Sequence, residues 1–379
     1  MNILFVFHHA GITGAALLLY STVEWLNKNT DVKMSFLLRD DGPLKNELAR
    51  FGNVYEWNFE SPKQNSLFYR IKRRLYQSKT TQDLLIEQLE NEKFDLLYFN
   101  TILCSSIIKK LAHFQSKKIW HIHELELAIK THGIAHLEAK TCIDKIIANS
   151  NSTKNNLVSH GFNSSTVSMI YPFINLEKIK GNSQEFSAKK ELNIPEDAFV
   201  IGTSGTAIET KGVQSFLMLP SILDHLMPGN KFYFVWVGTC SYKQKIVVDY
   251  DLAKSGNTSR VIFTGEQRNP FPYYKSFDVF VSTSKEESFG MSAIEAGSLN
   301  KPLICFKNTG GIEEIVDRAE NITIDYMDIY QMAQSIINLY KNREKINELG
   351  NKAERFSEKY DINTVMPELY AFLKGALVN

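Results

Sequence analysis

Short apolar runs alternate with longer stretches whose apolar residues recur every three or four positions, nearly from end to end of this 379-residue chain. Such short runs are typical of strands buried on both faces, and the longer stretches are typical of helices that connect parallel strands. The pattern therefore predicts an α/β protein. Strands are expected at Asn2–Phe7, Lys33–Leu38, Asp95–Asn100, Lys118–His123, Lys145–Asn149, Phe199–Gly202, Phe232–Val237, Val261–Thr264, Val279–Ser282, Pro302–Phe306 and Asn321–Ile324.

The predicted strands fall into two sets, separated by residues 161–196, where Gly, Asn, Ser and Pro are frequent and periodicity is weak. Such a segment is typical of a linker, and the length of the chain suits two domains of ordinary size. We therefore expect an N-terminal domain over residues 1–173 and a second over 174–360. Residues 361–379 are predicted to form a helix that packs back on the first domain, because apolar residues recur at helical spacing there.

Composition and charge exclude several classes of protein. The hydrophobic fraction of 44%, the charged fraction of 22% and the net charge of +1 are those of a globular protein with no general affinity for nucleic acid. The four cysteines lie far apart without a CxxC pair, which suits a reducing compartment and argues against structural zinc or disulfides. The first apolar run is only about six residues long, and no run approaches the roughly 20 needed to cross a membrane. These features predict a cytoplasmic location.

One segment, Ser61 to Gln82, contains six basic and no acidic side chains among apolar residues at helical spacing. A basic amphipathic helix of this kind can lie on an anionic membrane surface. The alternative is a solvated helix whose apolar face covers the sheet. Both interpretations remain open, and the first predicts peripheral contact with the inner face of the cell membrane.

The segment from Ser282 to Val316, STSKEESFGMSAIEAGSLNKPLICFKNTGGIEEIV, is the most informative part of the chain. A strand ends at Ser282, a tight loop follows, and a helix is predicted from Met291. The free N–H groups and the positive dipole end of such a helix can hold a diphosphate. Glu287 precedes the loop and Glu295 lies on the helix, and carboxylates are good acceptors for the vicinal hydroxyls of a sugar or a ribose.

These residues resemble glycosyltransferase family 4: a glutamate, seven residues and a second glutamate within ESFGMSAIEAG, followed by KPLI and TGGIEEIV. The resemblance implies two Rossmann-like β/α/β domains that face a central cleft, the glycosyltransferase B fold. It implies an acceptor-side first domain and a second domain that binds a nucleotide sugar. Members of the family are typically retaining and independent of divalent metal, so no metal or other cofactor is expected.

The resemblance also assigns roles to particular residues. Glu287 would contact hydroxyls of the transferred sugar, Glu295 would contact the ribose, and Lys211 would pair with the diphosphate. His123, at the end of a predicted strand in WHIHELE, resembles the family's active-site histidine. Backbone contacts to the donor are expected from Gly14, in a glycine-rich turn after the first strand, and from Ser288, Phe289, Gly290, Met291 and Ser292.

The chain departs from the family pattern at one cationic position. The family usually has an arginine directly after the glycine at position 205, and this chain has Thr206 among the expected donor contacts. Lys285 or Arg268 could supply the missing charge.

Plainer interpretations apply to some of these residues. His123 could be a core histidine whose hydrogen bonds are all made within the protein, and two glutamates at this spacing are common on solvated helices. His8, His9, His121 and His123 could suggest zinc, but neighbouring side chains of a strand face opposite sides, which disfavours a shared ion. Asp249-Tyr250-Asp251 resembles an acidic metal motif of another glycosyltransferase fold, although it lies in a predicted surface helix.

The sequence therefore predicts a retaining hexosyl-type transferase that uses a UDP-, GDP- or ADP-sugar and a sugar or lipid-linked acceptor. Synthesis of a surface polysaccharide or a glycolipid is the expected setting. Two alternatives are a nucleotide-sugar epimerase of the same fold and a catalytically silent subunit that binds nucleotide sugar for a partner transferase. Thr206 is the feature that favours the silent subunit.

Overall fold

The computed structural model describes residues 1–57 and 79–378. The hypothesis of membrane contact concerns Ser61 to Gln82, and most of this segment lies outside the described residues. Contacts divide the chain into two compact units, the first made of residues 1–149, 153–170 and 366–379, and the second of residues 150–152 and 171–365. Each unit is an α/β structure with one parallel sheet, which confirms the predicted fold class.

The first unit contains a seven-stranded parallel sheet among its described residues, in the order β3-β2-β1-β4-β5-β6-β7. Its strands are β1 (Asn2–His9), β2 (Lys33–Asp40), β3 (Gly52–Glu56), β4 (Leu96–Asn100), β5 (Lys117–Ile122), β6 (Lys145–Ala148) and β7 (Val167–Met169). Its helices are α1 (Gly14–Asn29), α2 (Lys45–Leu48), α3 (Thr81–Asn91), α4 (Ser105–Lys110), α5 (Glu126–His132) and most of α6 (Asn151–Ser159), with 3-10 turns at Ile102–Cys104 and Ile134–Cys142.

The second unit contains a six-stranded parallel sheet in the order β10-β9-β8-β11-β12-β13. Its strands are β8 (Phe199–Ser204), β9 (Phe232–Val237), β10 (Val261–Phe263), β11 (Val279–Ser282), β12 (Leu303–Phe306) and β13 (Ile322–Ile324). Its helices are α7 (Leu176–Asn182), α8 (Ala188–Glu191), α9 (Val213–Leu226), α10 (Tyr242–Ser255), α11 (Phe271–Ser276), α12 (Met291–Gly297), α13 (Gly311–Arg318), α14 (Ile329–Lys341) and α15 (Arg343–Ser357), with 3-10 turns at Glu209–Lys211 and Glu358–Tyr360.

The chain ends in α16 (Ile362–Val378), which belongs to the first unit from Met366 onward. The ring of Tyr370 lies 6.4 Å from that of Trp25 in α1. Leu369 and Leu373 are buried, so the apolar stripe of this helix has a packing partner in the first unit.

The central strands are apolar because helices cover both faces of each sheet. Phe199 and Ile201 of β8 lie in one apolar cluster of the second unit, and Val200 between them lies in the other. In the first unit Ile3 to Phe7 of β1 are fully buried without a polar interruption. Parallel strands therefore appear as continuous apolar runs. No helix within the described residues is long and apolar enough to span a bilayer.

Candidate functional site

The loop after β11 carries the first predicted glutamate and is held by backbone contacts to the loop after β12. The N–H of Glu287 donates to the carbonyl of Thr309 at 2.7 Å, and Glu287 forms a parallel bridge with Gly310. Gly290 then precedes α12 with φ +95°, in the left-handed region that glycine adopts without a steric cost. The carboxyl ends of neighbouring parallel strands thus bring ESFG and TGGI together.

Glycine is required where these two loops meet. A Cβ on Gly311 would lie 2.0 Å from the carbonyl oxygen of Ser288, and a Cβ on Gly290 would lie 2.9 Å from Cγ1 of Ile312. The first contact is with backbone, which cannot rotate away. The TGGI motif therefore determines how close the Glu287 loop approaches α13.

Lys211 ends the 3-10 turn after β8, and its ammonium group forms an ion pair with the carboxylate of Glu287. The turn is clamped against the end of β11, because the hydroxyl of Thr283 donates to the carbonyls of Lys211 at 3.2 Å and Gly212 at 3.0 Å. A Cβ on Gly212 would lie 1.7 Å from the Thr283 carbonyl oxygen. Two residues separated by 76 positions in the sequence thus form one charged pair.

Thr206 lies in the exposed loop after β8, where its hydroxyl accepts a hydrogen bond from that of Thr239 at 3.4 Å. Lys285 is tied to the turn that carries Lys211: its N–H donates to the Thr210 carbonyl at 2.8 Å, and its ammonium group lies 2.7 Å from the carboxylate of Glu209. A second cation therefore adjoins the Lys211 turn, whereas Arg268 is exposed on the loop after β10.

Glu295 lies on α12, one turn beyond the helix start. Burial raises the pKa of its carboxyl to about 7. Burial is also the main reason why the pKa of Tyr274 is raised well above its usual value, and the Glu295 charge adds to that shift. The hydroxyl of Tyr274 donates to Ser204 at 2.7 Å. A carboxyl that titrates near neutrality is frequent in functional sites.

The other expected donor contacts of the second unit lie between these two glutamates. The side chain of Phe289 is buried, with its ring 5.7 Å from that of Tyr171 and 5.4 Å from that of Tyr360, so only its backbone can contact a ligand. Met291 and Ser292, the first residues of α12, are partly exposed. The second unit thus brings Lys211, Glu287 and the start of α12 together, an arrangement that can accept hydroxyl donors and stabilise an anion.

Gly14 begins α1 in the first unit, and a Cβ there would meet nothing within 4 Å. The close approaches occur instead at Gly11, where a Cβ would lie 2.2 Å from the His9 ring, and at Gly42, where it would lie 2.3 Å from the carbonyl oxygen of Ala10. The turn after β1 is therefore shaped by Gly11 and Gly42. Gly42 was not among the predicted site residues, because the backbone that it approaches, at Ala10, is distant in the sequence.

His123 directly follows β5 and is partly exposed. Its Nε2 lies 2.8 Å from Oδ1 of Asn100, and its ring centroid lies 4.0 Å from that of His121, two positions earlier on the same face of the strand. Burial lowers the pKa of His123 to about 3, so the ring is neutral near pH 7. A neutral imidazole offers one donor and one acceptor.

The residues around His123 form a polar cluster at the carboxyl ends of β1, β4 and β5. The carboxyl of Glu124 accepts the N–H groups of Ile102 at 3.2 Å and His123 at 3.0 Å, and burial raises its pKa to about 7. Thr101 is bonded to Nδ1 of His8 at 3.2 Å. Asn100 and Glu124 were not among the predicted site residues, although Asn100 is a polar residue that ends a buried strand, which is a usable signal.

No group of three or more potential ligands with metal-binding geometry occurs among residues 1–57 and 79–378. His121 is bonded through Nδ1 to the hydroxyl of Tyr98 at 2.6 Å. Asp249 pairs with Lys245 along α10, one turn apart on an exposed helix.

The fold is that of the glycosyltransferase B structures. The chain superposes on HepE from Anabaena, crystallised with UDP-glucose, with a TM-score of 0.81 at 18% identity over 99% of this chain and 100% of that one. It superposes on TarM from S. aureus, crystallised with fondaparinux, alpha-GlcNAc-glycerol and UDP, with a TM-score of 0.71 at 15% identity over 98% and 99% of the two chains.

Two family models match successive parts of the sequence. Residues 12–178 match Glycosyltransferase Family 4, and residues 184–356 match Glycosyl transferases group 1. The chain therefore belongs to the glycosyltransferases, as the residues around Glu287 predicted, with family 4 matched by its first part and group 1 by the part that contains Glu287. It is 23% identical to CapM, a capsular polysaccharide biosynthesis glycosyltransferase of Staphylococcus aureus, over 96% of this chain and 95% of that protein.

Proposed function

We propose that this glycosyltransferase moves a hexose-type sugar from a nucleotide-diphosphate donor to a sugar or lipid-linked acceptor, and that it retains the anomeric configuration. A UDP-sugar is the first candidate for the donor. The observation that carries the proposal is the Lys211–Glu287 pair beside the start of α12. HepE and TarM were crystallised with UDP, and CapM acts in capsule synthesis, which supports a UDP-sugar and a surface polysaccharide.

In this mechanism the acceptor hydroxyl attacks the anomeric carbon from the face that the diphosphate leaves. The bond between that carbon and the phosphate oxygen breaks, a new glycosidic bond forms, and the hydroxyl proton passes to the departing phosphate. Negative charge accumulates on the leaving group, where Lys211 and the first N–H groups of α12 would stabilise it. Glu287 would accept hydrogen bonds from sugar hydroxyls while it orients the ammonium group.

The missing arginine at position 206 does not by itself favour a silent subunit. Lys285 supplies a positive charge at the 3-10 turn that carries Lys211, held there by the Glu209 carboxylate. We propose that this lysine takes the place of the family's arginine. Turnover is then expected, and donor binding without turnover would support the silent-subunit alternative.

The test is thermal stabilisation and donor hydrolysis with UDP-, GDP- and ADP-sugars. Wild type should be stabilised by one class of nucleotide. Lys211→Gln should lose about 3 to 4 kcal/mol of transition-state stabilisation, or roughly 100- to 1000-fold in rate, as expected for removal of one stabilising group. Lys243→Gln, an exposed lysine on α10, is the matched control and should behave as wild type. Equal rates for Lys211→Gln and wild type would overturn the proposal.

A further inference from the structure

A buried asparagine joins the start of α1 to the histidine that follows β5. Asn100 ends β4, and its side chain is 1% exposed. Its amide nitrogen Nδ2 donates to the carbonyl of Ala15, next to Gly14 at the start of α1, at 3.0 Å. Its amide oxygen Oδ1 lies 2.8 Å from Nε2 of His123.

These two contacts determine which nitrogen of His123 carries the proton. The Ala15 carbonyl can only accept a hydrogen bond, so the NH₂ group of Asn100 must face it. The amide oxygen therefore faces the imidazole and can only accept, so Nε2 of His123 must be the donor. In the neutral ring, Nδ1 is then the acceptor.

The backbone beside Asn100 is strained, and the strain is held in place by several hydrogen bonds. Thr101 has φ +76° and ψ 160°, a conformation that a β-branched residue rarely adopts. Its N–H donates to the His121 carbonyl at 2.8 Å, and its carbonyl accepts the indole N–H of Trp120 at 2.7 Å. Such outliers persist where the surrounding structure over-determines them, and they concentrate at functional sites.

His121 restricts the other side of the His123 ring. The two ring centroids are 4.0 Å apart with an interplanar angle of 36°, and His121 is itself bonded to the buried Tyr98. The His123 ring is therefore held by packing on one side and by Asn100 at Nε2. This leaves Nδ1 as the ring atom able to accept a ligand hydrogen bond.

We propose that Asn100 is a positioning residue, which holds His123 as the Nε2–H tautomer so that Nδ1 accepts a hydrogen bond from a sugar hydroxyl. The identity of the ligand rests on the proposed function, whereas the tautomer does not. Asn100 also couples His123 to the turn at Gly14 through the Ala15 carbonyl.

The first measurement is the tautomer of His123 by two-bond ¹H–¹⁵N correlation in protein labelled with ¹⁵N-histidine, with the signals assigned by their loss in His123→Asn. Wild type should show the Nε2–H pattern near pH 7. Asn100→Leu removes both hydrogen bonds and should give a mixture of tautomers. Asn100→Asp keeps an acceptor oxygen for Nε2 and should retain the wild-type tautomer. Asn257→Leu, an equally buried asparagine of the second unit, should leave the His123 signals unchanged.

The second measurement is transfer kinetics with a UDP-sugar. Asn100→Leu should lower kcat/KM about 100-fold, mainly through kcat, because a misplaced reacting contact costs about that factor. Asn100→Asp should recover part of the loss, which a purely structural role would not produce. An Nδ1–H tautomer in wild type, or an unchanged tautomer in Asn100→Leu, would overturn the inference. The Nε2–H tautomer in a protein that turns over no donor would leave the inference intact and reject the proposed function.

Discussion

Gly311→Ala should displace the Glu287 loop, although the change adds a single methyl group far from either glutamate in the sequence. The new Cβ would lie 2.0 Å from the carbonyl oxygen of Ser288, and ordinary van der Waals contact begins at 3.4 Å. The two backbones must therefore separate by the difference, 1.4 Å, because no flexible side chain can yield. Overpacking of this kind costs about 1 to 3 kcal/mol of stability.

The displacement matters for catalysis because Glu287 is only one position from Ser288. A misplacement of about 1 Å can cost 100-fold in rate. We therefore expect Gly311→Ala to reduce donor hydrolysis by at least about that factor under conditions where the protein stays folded. The assay is hydrolysis and transfer with a UDP-sugar, together with thermal unfolding.

Gly181→Ala is the matched control, because the glycine lies in α7 and an added Cβ would meet nothing within 4 Å. This variant should keep full activity. It should gain about 0.5 to 1 kcal/mol of stability, because alanine has less conformational freedom than glycine to lose when the helix forms. A Gly311→Ala protein with wild-type activity would refute the claim that the approach of the two loops positions Glu287.

Two further predictions concern the second unit. Glu295→Gln should make the fold more stable than wild type, because burial raises the pKa of the Glu295 carboxyl from 4.5 to about 7 and ionisation is therefore harder in the folded state. The gain in the free energy of unfolding should rise with pH between about 4.5 and 7 and reach about 3 kcal/mol above pH 7. Urea unfolding at pH 4.5 and 8 tests this, with Glu368→Gln, an exposed glutamate in the middle of α16, as control, and a pH-independent difference would contradict it. Asp328→Ala should destabilise α14 by about 1 kcal/mol, because the Asp328 carboxylate caps the helix, whereas Asp328→Ser should retain most of that energy in thermal unfolding.

The pattern of apolar residues along the chain was enough to predict the central strands. β9 and β11 begin and end at the predicted residues, and the other predicted strands differ by one or two positions. Two strands of the described residues were not predicted, β3 and β7, and each lies at an edge of the first sheet. An edge strand has one neighbour and is partly exposed, so GNVYE and VSM lack the apolar run that identifies a buried strand.

The motif around Glu287 could also be found from the sequence, because its parts are close together in the chain: a strand, a loop, a glycine and the first turn of a helix. It predicted the family correctly. The roles of Glu287, Glu295, Lys211 and His123 remain predictions, which the variants above address.

The sequence by itself thus determined the fold class, the family and the residue types available for chemistry. The tertiary structure alone decided which of them meet: Lys211 with Glu287, Gly311 with Ser288, and Asn100 with His123. Each pair joins the carboxyl ends of two different strands or the loops that follow them. Their proximity depends on the order of strands in the sheet, which is set by packing over the whole unit and leaves no periodic signal in the residues themselves.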